Sequence, residues 1–247
     1  MPIADSLGKG QDAAPPPRQF RWRLRSGIIH EAIFGINDGL VATVGLVSGE
    51  ALAHQSHRSV LIAALSALGA NMVSMAVGSY LATTSENDFN QREIREQKTQ
   101  IERRPEHERR RMRRLLNEIG IPAGSLSPVE ANIVRSRSRW LNFMVREHLG
   151  IHQAKIERPL ENAVTMGVAV MLGSAPPIIP YLLPFSVVMS RNLSWIFALV
   201  AALALGAFKG RVTGSSIVRS AAWFGFLVSL SSLVGSLIGF LAGTVTG

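Results

Sequence analysis

The segment from Gly27 to Ala53 restricts the possible folds most, because it is long and apolar enough to cross a bilayer and yet carries two carboxylates. A spanning helix needs about 20 mostly apolar residues. An acid near the middle of such a helix costs about 2.5–3.5 kcal/mol on insertion scales, so it normally faces a partner, a cavity or an ion. Glu31 and Asp38 fall on one face of a helix, about 10 Å apart along its axis. The segment therefore predicts a membrane helix that presents two stacked oxygen ligands.

Two other environments for these acids are open. Both could lie in headgroup water near the end of the helix, or each could pair with an arginine. No lysine or arginine occurs between Arg25 and Arg58 to neutralise Asp38. For Asp38, a metal ion or a proton is then the partner that costs least.

The distribution of charge supports a small multi-pass membrane protein. The 247 residues are 47% hydrophobic and still carry a formal charge of +9. Of the 26 Lys and Arg residues, five lie in residues 1–26, sixteen in 83–160 and three in 209–219. By the positive-inside rule, the N-terminus and the long middle segment are predicted to be cytoplasmic. The same rule explains the basic charge without nucleic acid, which we do not expect as a partner.

The predicted fold is all-α, with five transmembrane helices and a cytosolic helical domain inserted between the second and the third. Residues 1–26 are predicted to form a disordered or interfacial cytosolic tail, 27–84 the first two spans, 85–161 the cytosolic domain and 162–247 the last three spans. Pro176, Pro177, Pro180 and Pro184 are expected to break the third span near the outer side. The chain contains no cysteine, which excludes disulfides and thiolate metal sites.

The second span carries further candidate ligands. Methionine in an apolar helix is usually core filler. Met75, however, begins a stripe that continues through Ser79, Ala82, Glu86 and Glu93 if the helix extends beyond the membrane. That stripe would run from a thioether in the bilayer to carboxylates in the cytosol.

The middle segment is predicted to form four helices. The first continues the second span to about Glu102, the second runs from Pro105 to Gly120, the third begins at Ser127 with a capping box to Glu130, and the fourth covers 139–149. Glu147, His148 and His152 form a local cluster with some potential as ligands.

Several motifs together resemble the vacuolar iron transporter family over nearly all of residues 27–247. The shared segments are Gly35-Ile-Asn-Asp38-Gly39-Leu40, Ser74-Met75-x-x-Gly78-x-Tyr80-Leu81-Ala82 followed by Ser85-Glu86, Trp140-Leu-Asn-Phe143-Met144 and Pro176-Pro-Ile-Ile-Pro180-Tyr181.

The resemblance implies a homodimer whose metal path lies between the two copies of the first two spans, and exchange of cytosolic Fe²⁺ or a similar ion for protons. It assigns Glu31, Asp38 and Met75 to the intramembrane path. It also implies a set of cytosolic ligands, for which the candidates here are Glu86, Glu93, Glu96, Glu108, Met144, Glu147 and His148.

This chain departs from the family pattern in the cytosolic domain. Arg111 stands where an acid would be expected, Gln97 and Gln100 fall near two more, and His148 replaces the last glutamate. A site that has lost carboxylates and gained an arginine should bind fewer cations. The expectation is an intact transport path with a weakened cytosolic metal store.

These observations favour a proton-coupled transporter that exports Fe²⁺, or Mn²⁺, from the cytosol and needs no cofactor. A mixed oxygen and sulfur ligand set suits a first-row transition ion better than Mg²⁺ or Ca²⁺. The alternative is a non-transporting, metal-responsive scaffold whose intramembrane acids are structural. No catalytic motif favours an enzyme. The expected location is a bacterial inner membrane with a cytoplasmic N-terminus, or the vacuolar membrane in a eukaryote, in contact with membrane lipids.

Overall fold

The computed structural model describes residues 19–53, 56–148 and 158–246. Every regular element within these ranges is helical, which confirms the predicted all-α class. The helices are α1 (Gln19–Leu52), α2 (His57–Arg103), α3 (Pro105–Glu118), α4 (Ala123–Val134), α5 (Arg137–Glu147), α6 (Pro159–Ile178), a 3₁₀ helix (Ile179–Leu182), α7 (Val187–Thr213) and α8 (Ile217–Thr246).

Five of these helices are long and apolar enough to cross a membrane, as the sequence predicted: α1, α2, α6 with its 3₁₀ extension, α7 and α8. Because successive spans alternate in direction, the short helices α3–α5 and the turn between α7 and α8 lie on the same side of the bundle. We call this side the insert side.

Helix α1 lies at the centre of the membrane bundle. Leu40 and Val44 are fully buried and pack against Ala198 and Ala202 of α7 and Phe224 of α8. Further along α1, Val47 packs into a second cluster formed with α2, α6 and the 3₁₀ helix. The helix that carries the two acids is therefore held by all four of the other spans.

Glycines allow this central helix to approach its neighbours closely. A Cβ atom at Gly173 of α6 would overlap the carbonyl oxygen of Ile36, and one at Gly235 of α8 would overlap that of Gly45. A hydroxyl group adds a hydrogen bond between α6 and α1, because Ser174 Oγ donates to the Gly39 carbonyl oxygen (3.1 Å). Close backbone packing of this kind is the usual source of helix association in membranes.

Helix α2 extends beyond the membrane bundle without a break and is 47 residues long. Its far end packs against α3 and α5 through a small apolar core, in which Ile101, Met112, Leu116, Trp140 and Met144 are buried. The predicted continuation of the second span into the insert is thus confirmed.

One local prediction was wrong. Helix α4 begins at Ala123, so Ser127 lies inside it, and the Glu130 side chain turns towards α3 instead of back to the Ser127 backbone. The break predicted at the proline-rich end of the third span is confirmed, because helix α6 ends at Ile178 and the chain tightens into a 3₁₀ helix.

Neighbouring helices satisfy the carbonyl groups near that proline-rich end. Ser194 Oγ donates to the Pro177 carbonyl (2.8 Å), and Ser190 Oγ donates to the Pro180 carbonyl (3.1 Å). His57 Nε2 lies 2.7 Å from the Tyr181 carbonyl oxygen. These contacts compensate for the N–H groups that the prolines lack.

Candidate metal site

Asp38 is the centre of the candidate site within the membrane bundle. It is partly buried on α1, and its Oδ2 atom accepts a hydrogen bond of 3.2 Å from Asn71 Nδ2 of α2. In the part of the chain that the structure describes, no lysine, arginine or histidine lies within ion-pair distance of this carboxylate. The described hydrogen-bond donor to Asp38 is thus a neutral amide.

Met75 follows Asn71 by one helical turn and lies on the same face of α2. It is partly buried. The hydrogen bond between Asp38 and Asn71 therefore brings a carboxylate of α1 to the face of α2 that carries the thioether. This arrangement offers oxygen and sulfur donors from two adjacent spans.

Sequence reasoning missed Asn71. Its signal was an amide in an otherwise apolar span, one turn before the methionine already selected. Polar side chains in membrane helices usually bond to another helix or line a functional path. The pairing with Asp38 identifies which helix Asn71 contacts.

Glu31 lies on α1 nearly two turns before Asp38 and is partly buried. It is placed on the same helical face, as predicted from its spacing. Within the described ranges, however, no three His, Asp or Glu side chains of a single copy come together closely enough to hold a metal ion.

Three candidate carboxylates lie along the far part of α2. Glu86 is exposed, and Glu93 is partly buried. Glu96 is exposed and forms an ion pair with Arg92 of its own helix (2.8 Å). The structure brings none of the three into a cluster with Glu108.

Glu108 is the buried acid of the insert, with 1% of its surface exposed. Its Oε2 atom accepts a hydrogen bond from Gln97 Nε2 at 2.8 Å. Its Oε1 atom lies 3.4 Å from Arg111 Nη1 and 3.1 Å from His107 Nδ1. Both carboxylate oxygens are therefore engaged by the protein itself, and two of the partners are Gln97 and Arg111, the substitutions noted in the sequence.

The remaining candidates lie at the end of α5. Met144 is fully buried in the apolar core of the insert. Glu147 lies 3.5 Å from Arg146, and His148 is exposed at the end of the helix. His152 lies outside the described residues.

Glu130 is a second buried acid of the insert, and the sequence gave it only a capping role. It is 3% exposed on α4 and accepts hydrogen bonds from Arg113 (2.8 Å) and Arg109 (3.1 Å) of α3. Part of the basic run of α3 is thus used to neutralise this carboxylate and to join the two helices.

A stripe of small side chains on α2 faces away from the described bundle. Its members are Ala70, Ser74, Gly78 and Ala82, which recur every four residues and are all exposed. We call them the small-residue stripe. Only 11% of the apolar window of α2 is buried, compared with 56% for Pro159–Leu182. Small residues at this spacing allow a second helix to approach closely.

Comparison with known proteins gives a consistent result. A family model described as the VIT family matches residues 29–240. Vacuolar iron transporter 1 of Arabidopsis thaliana is 33% identical over 205 residues, which cover 83% of this chain and 82% of that protein. Vacuolar iron transporter 1 of Oryza sativa subsp. japonica is 29% identical over 231 residues, which cover 93% and 90%. Protein CCC1 of Saccharomyces cerevisiae is 24% identical over 218 residues, which cover 80% and 67%.

Proposed function

The chain belongs to the VIT family, and on that premise we propose that it is a dimeric secondary transporter that exports Fe²⁺ or Mn²⁺ from the cytosol in exchange for protons. The observation that carries the proposal is Asp38, a carboxylate in a membrane helix whose described partner is a neutral amide. The curated relatives are named iron transporters, which supports a metal ion as the substrate.

The ligand chemistry favours a transition ion. Asp38 and Glu31 offer oxygen, and Met75 offers a thioether on the adjacent helix. Mg²⁺ and Ca²⁺ prefer oxygen ligands throughout, whereas a softer first-row ion such as Fe²⁺ accepts a mixed set. The substrate ion would bind between α1 and α2. It would leave when the ligands of one of the two helices move away from it.

The surroundings of Asp38 support exchange for protons. A carboxylate in a medium of low dielectric constant cannot remain ionised without a compensating charge. Since its described neighbours supply none, the departing ion would be replaced by a proton. One group then carries either substrate, but never both at once, which is the requirement for coupled exchange.

A second copy of the chain would complete the path. The small-residue stripe of α2 is exposed, and an added Cβ at Gly78 meets no atom within 4 Å. Met75 is adjacent to this stripe on the helix. Packing of two α2 helices along the stripe would bring the ligands of both copies near a common axis and would raise their number above what one copy supplies.

Transport into proteoliposomes with an imposed pH gradient tests the proposal directly. Asp38→Asn keeps the size of the side chain and can still bond to Asn71, but it can no longer exchange a metal ion for a proton. We expect it to abolish movement of both Fe²⁺ and Mn²⁺. Asp88→Asn, the same change at an exposed position of α2, is the matched control and should leave flux within about twofold of the unmodified protein.

Two results would overturn the proposal. Undiminished flux in the Asp38 variant would show that this carboxylate is not on the path. If the unmodified protein moves neither Fe²⁺ nor Mn²⁺ and gives no metal tolerance to cells that express it, this result would favour a metal-responsive scaffold.

A further inference from the structure

Two cavities open at the insert side of the bundle, and both are lined by Lys209. The first, of about 500 Å³, lies between α1, α7 and α8 and also contacts Phe34, Asn37 and Phe224. The second, of about 520 Å³, lies beside α7 and α8 and also contacts Ser215, Arg219, Trp223 and Phe226. The Lys209 ammonium group is therefore shared by the two linings. Neither is part of the candidate metal site around Asp38.

The charged side chains that line the two cavities on α7 and α8 are Lys209 and Arg219. Residues 162–247 contain no aspartate or glutamate. Lys209 Nζ lies 5.9 Å from the centre of the Phe224 ring, which restrains it, and Arg219 is exposed. Among the described residues, neither cation has an acidic partner within ion-pair distance. An anionic ligand would therefore meet two uncompensated cations on adjacent helices.

Polar groups between the two cations are arranged in a fixed order. Helix α7 ends at Gly214, whose positive φ of 67° lets the chain turn directly into α8. After that turn, Ser215 Oγ lies 2.9 Å from Thr213 Oγ1 and 3.1 Å from Ser220 Oγ, which is buried. The Thr213 hydroxyl donates to the Lys209 carbonyl (2.9 Å), and the turn thus holds these polar groups between the two cations.

The rest of the lining is suited to hydrocarbon. The rings of Trp223 and Phe226 stack with centroids 5.7 Å apart, and each side chain is more than half exposed. Aromatic side chains at the end of a membrane span normally lie at the level of the lipid headgroups. The combination of cations at the end of the helices and apolar walls towards the bilayer fits an amphiphile better than a small anion.

We propose that the insert-side ends of α7 and α8 bind one anionic phospholipid. Its phosphate lies between Lys209 and Arg219, and its acyl chains follow the apolar walls of the two cavities towards the bilayer centre. Basic pockets between membrane helices on the cytoplasmic side are established sites for anionic headgroups in general. The lipid would also fasten α7 to α1, since the first cavity lies between them.

Native mass spectrometry of the full chain, purified in micelles with equal amounts of phosphatidylglycerol and phosphatidylcholine, tests the proposal. We expect one retained phosphatidylglycerol in preference to phosphatidylcholine. Lys209→Gln and Arg219→Gln should each weaken retention about fivefold, and Lys209→Arg should restore most of it. Arg211→Gln is the matched control, because Arg211 lies in the same last turn of α7 but lines neither cavity, and it should change retention less than twofold.

A further arm distinguishes a lipid from free phosphate. The same measurement is repeated with an excess of inorganic phosphate, which should not displace the lipid because it makes no apolar contacts. Displacement by inorganic phosphate would assign the cations to a soluble anion and overturn the lipid site. Equal retention of the two lipids, or an equal loss in the Arg211 variant, would overturn it as well.

Discussion

Replacement of Glu108 distinguishes a structural carboxylate from a metal ligand in the insert. Glu108→Ala removes the acceptor that pairs with the buried amide of Gln97 and with the guanidinium of Arg111. Glu108→Gln retains the shape and, after rotation of one amide, a hydrogen bond to Gln97. The two variants therefore differ in hydrogen bonding, while both lack the negative charge that a metal ion requires.

The structure sets the size of the effect. Gln97 is 5% exposed, so the alanine variant leaves a buried amide without a partner, which costs about 1–3 kcal/mol. Loss of the buried Glu108 side chain from the core adds about 1 kcal/mol. Arg111 contributes little, because its side chain is 36% exposed and water can solvate it. We expect Glu108→Ala to lower the free energy of unfolding of the insert by about 2–4 kcal/mol, and Glu108→Gln by about 1 kcal/mol.

The stability of the insert is measured by thermal unfolding, followed by the fluorescence of Trp140, which lies in the same core, in a background without the other tryptophans. Transport is measured as Fe²⁺ flux in proteoliposomes, and this flux should remain within about twofold of the unmodified protein for Glu108→Gln. Glu118→Gln, an exposed position at the end of the same helix, is the control. Normal stability together with a tenfold loss of flux in Glu108→Gln would refute this reasoning and make the carboxylate a ligand.

Two further predictions concern the membrane bundle. Asn71→Leu removes the donor that positions Asp38. Because one hydrogen bond to a charged group is lost, Fe²⁺ flux should fall about tenfold. Normal flux at the same metal concentration would contradict this. Gly78→Leu places a bulky side chain on the small-residue stripe and should convert the proposed dimer to monomers. Cross-linking and light scattering measure this change. Val77→Leu, at an exposed position beside the stripe, is the control and should leave the dimer intact.

The membrane architecture could be predicted from the sequence because hydropathy reports burial in lipid directly. Each of the five apolar segments became a helix, and the absence of proline or glycine after Ser79 correctly indicated that α2 continues into the insert. Hydropathy does not give the ends of the helices. Helix α7 runs from Val187 to Thr213 and includes Arg191, Lys209 and Arg211 near its ends, where charged residues continue the helix outside the apolar segment.

The wrong prediction came from a local pattern that a tertiary contact overrides. Ser127 and Glu130 match a capping box, but Glu130 has two arginines of α3 within reach, and a charged hydrogen bond is stronger than a bond to a backbone amide. The prolines indicated the break at the end of α6 correctly, but the sequence did not show that serines of α7 satisfy the carbonyl groups there.

The pairings within the candidate site were beyond the reach of one sequence. Spacing placed Glu31 and Asp38 on one face of α1, but it could not give the rotation of α1 relative to α2. The contact between Asp38 and Asn71 depends on that rotation. The same is true of Gln97 and Glu108, which lie on different helices.

The way the chain neutralises its acids indicates where an ion is needed. In the insert, the buried carboxylates of Glu108 and Glu130 each have an arginine partner, although water is near and a mobile cation could serve. In the membrane, where an uncompensated charge costs most, Asp38 has only a neutral donor among the described residues. A fixed cation there would be favourable for stability but would compete with the substrate. Its absence from the described surroundings of Asp38 is the arrangement expected if a transported ion and a proton supply that charge in turn.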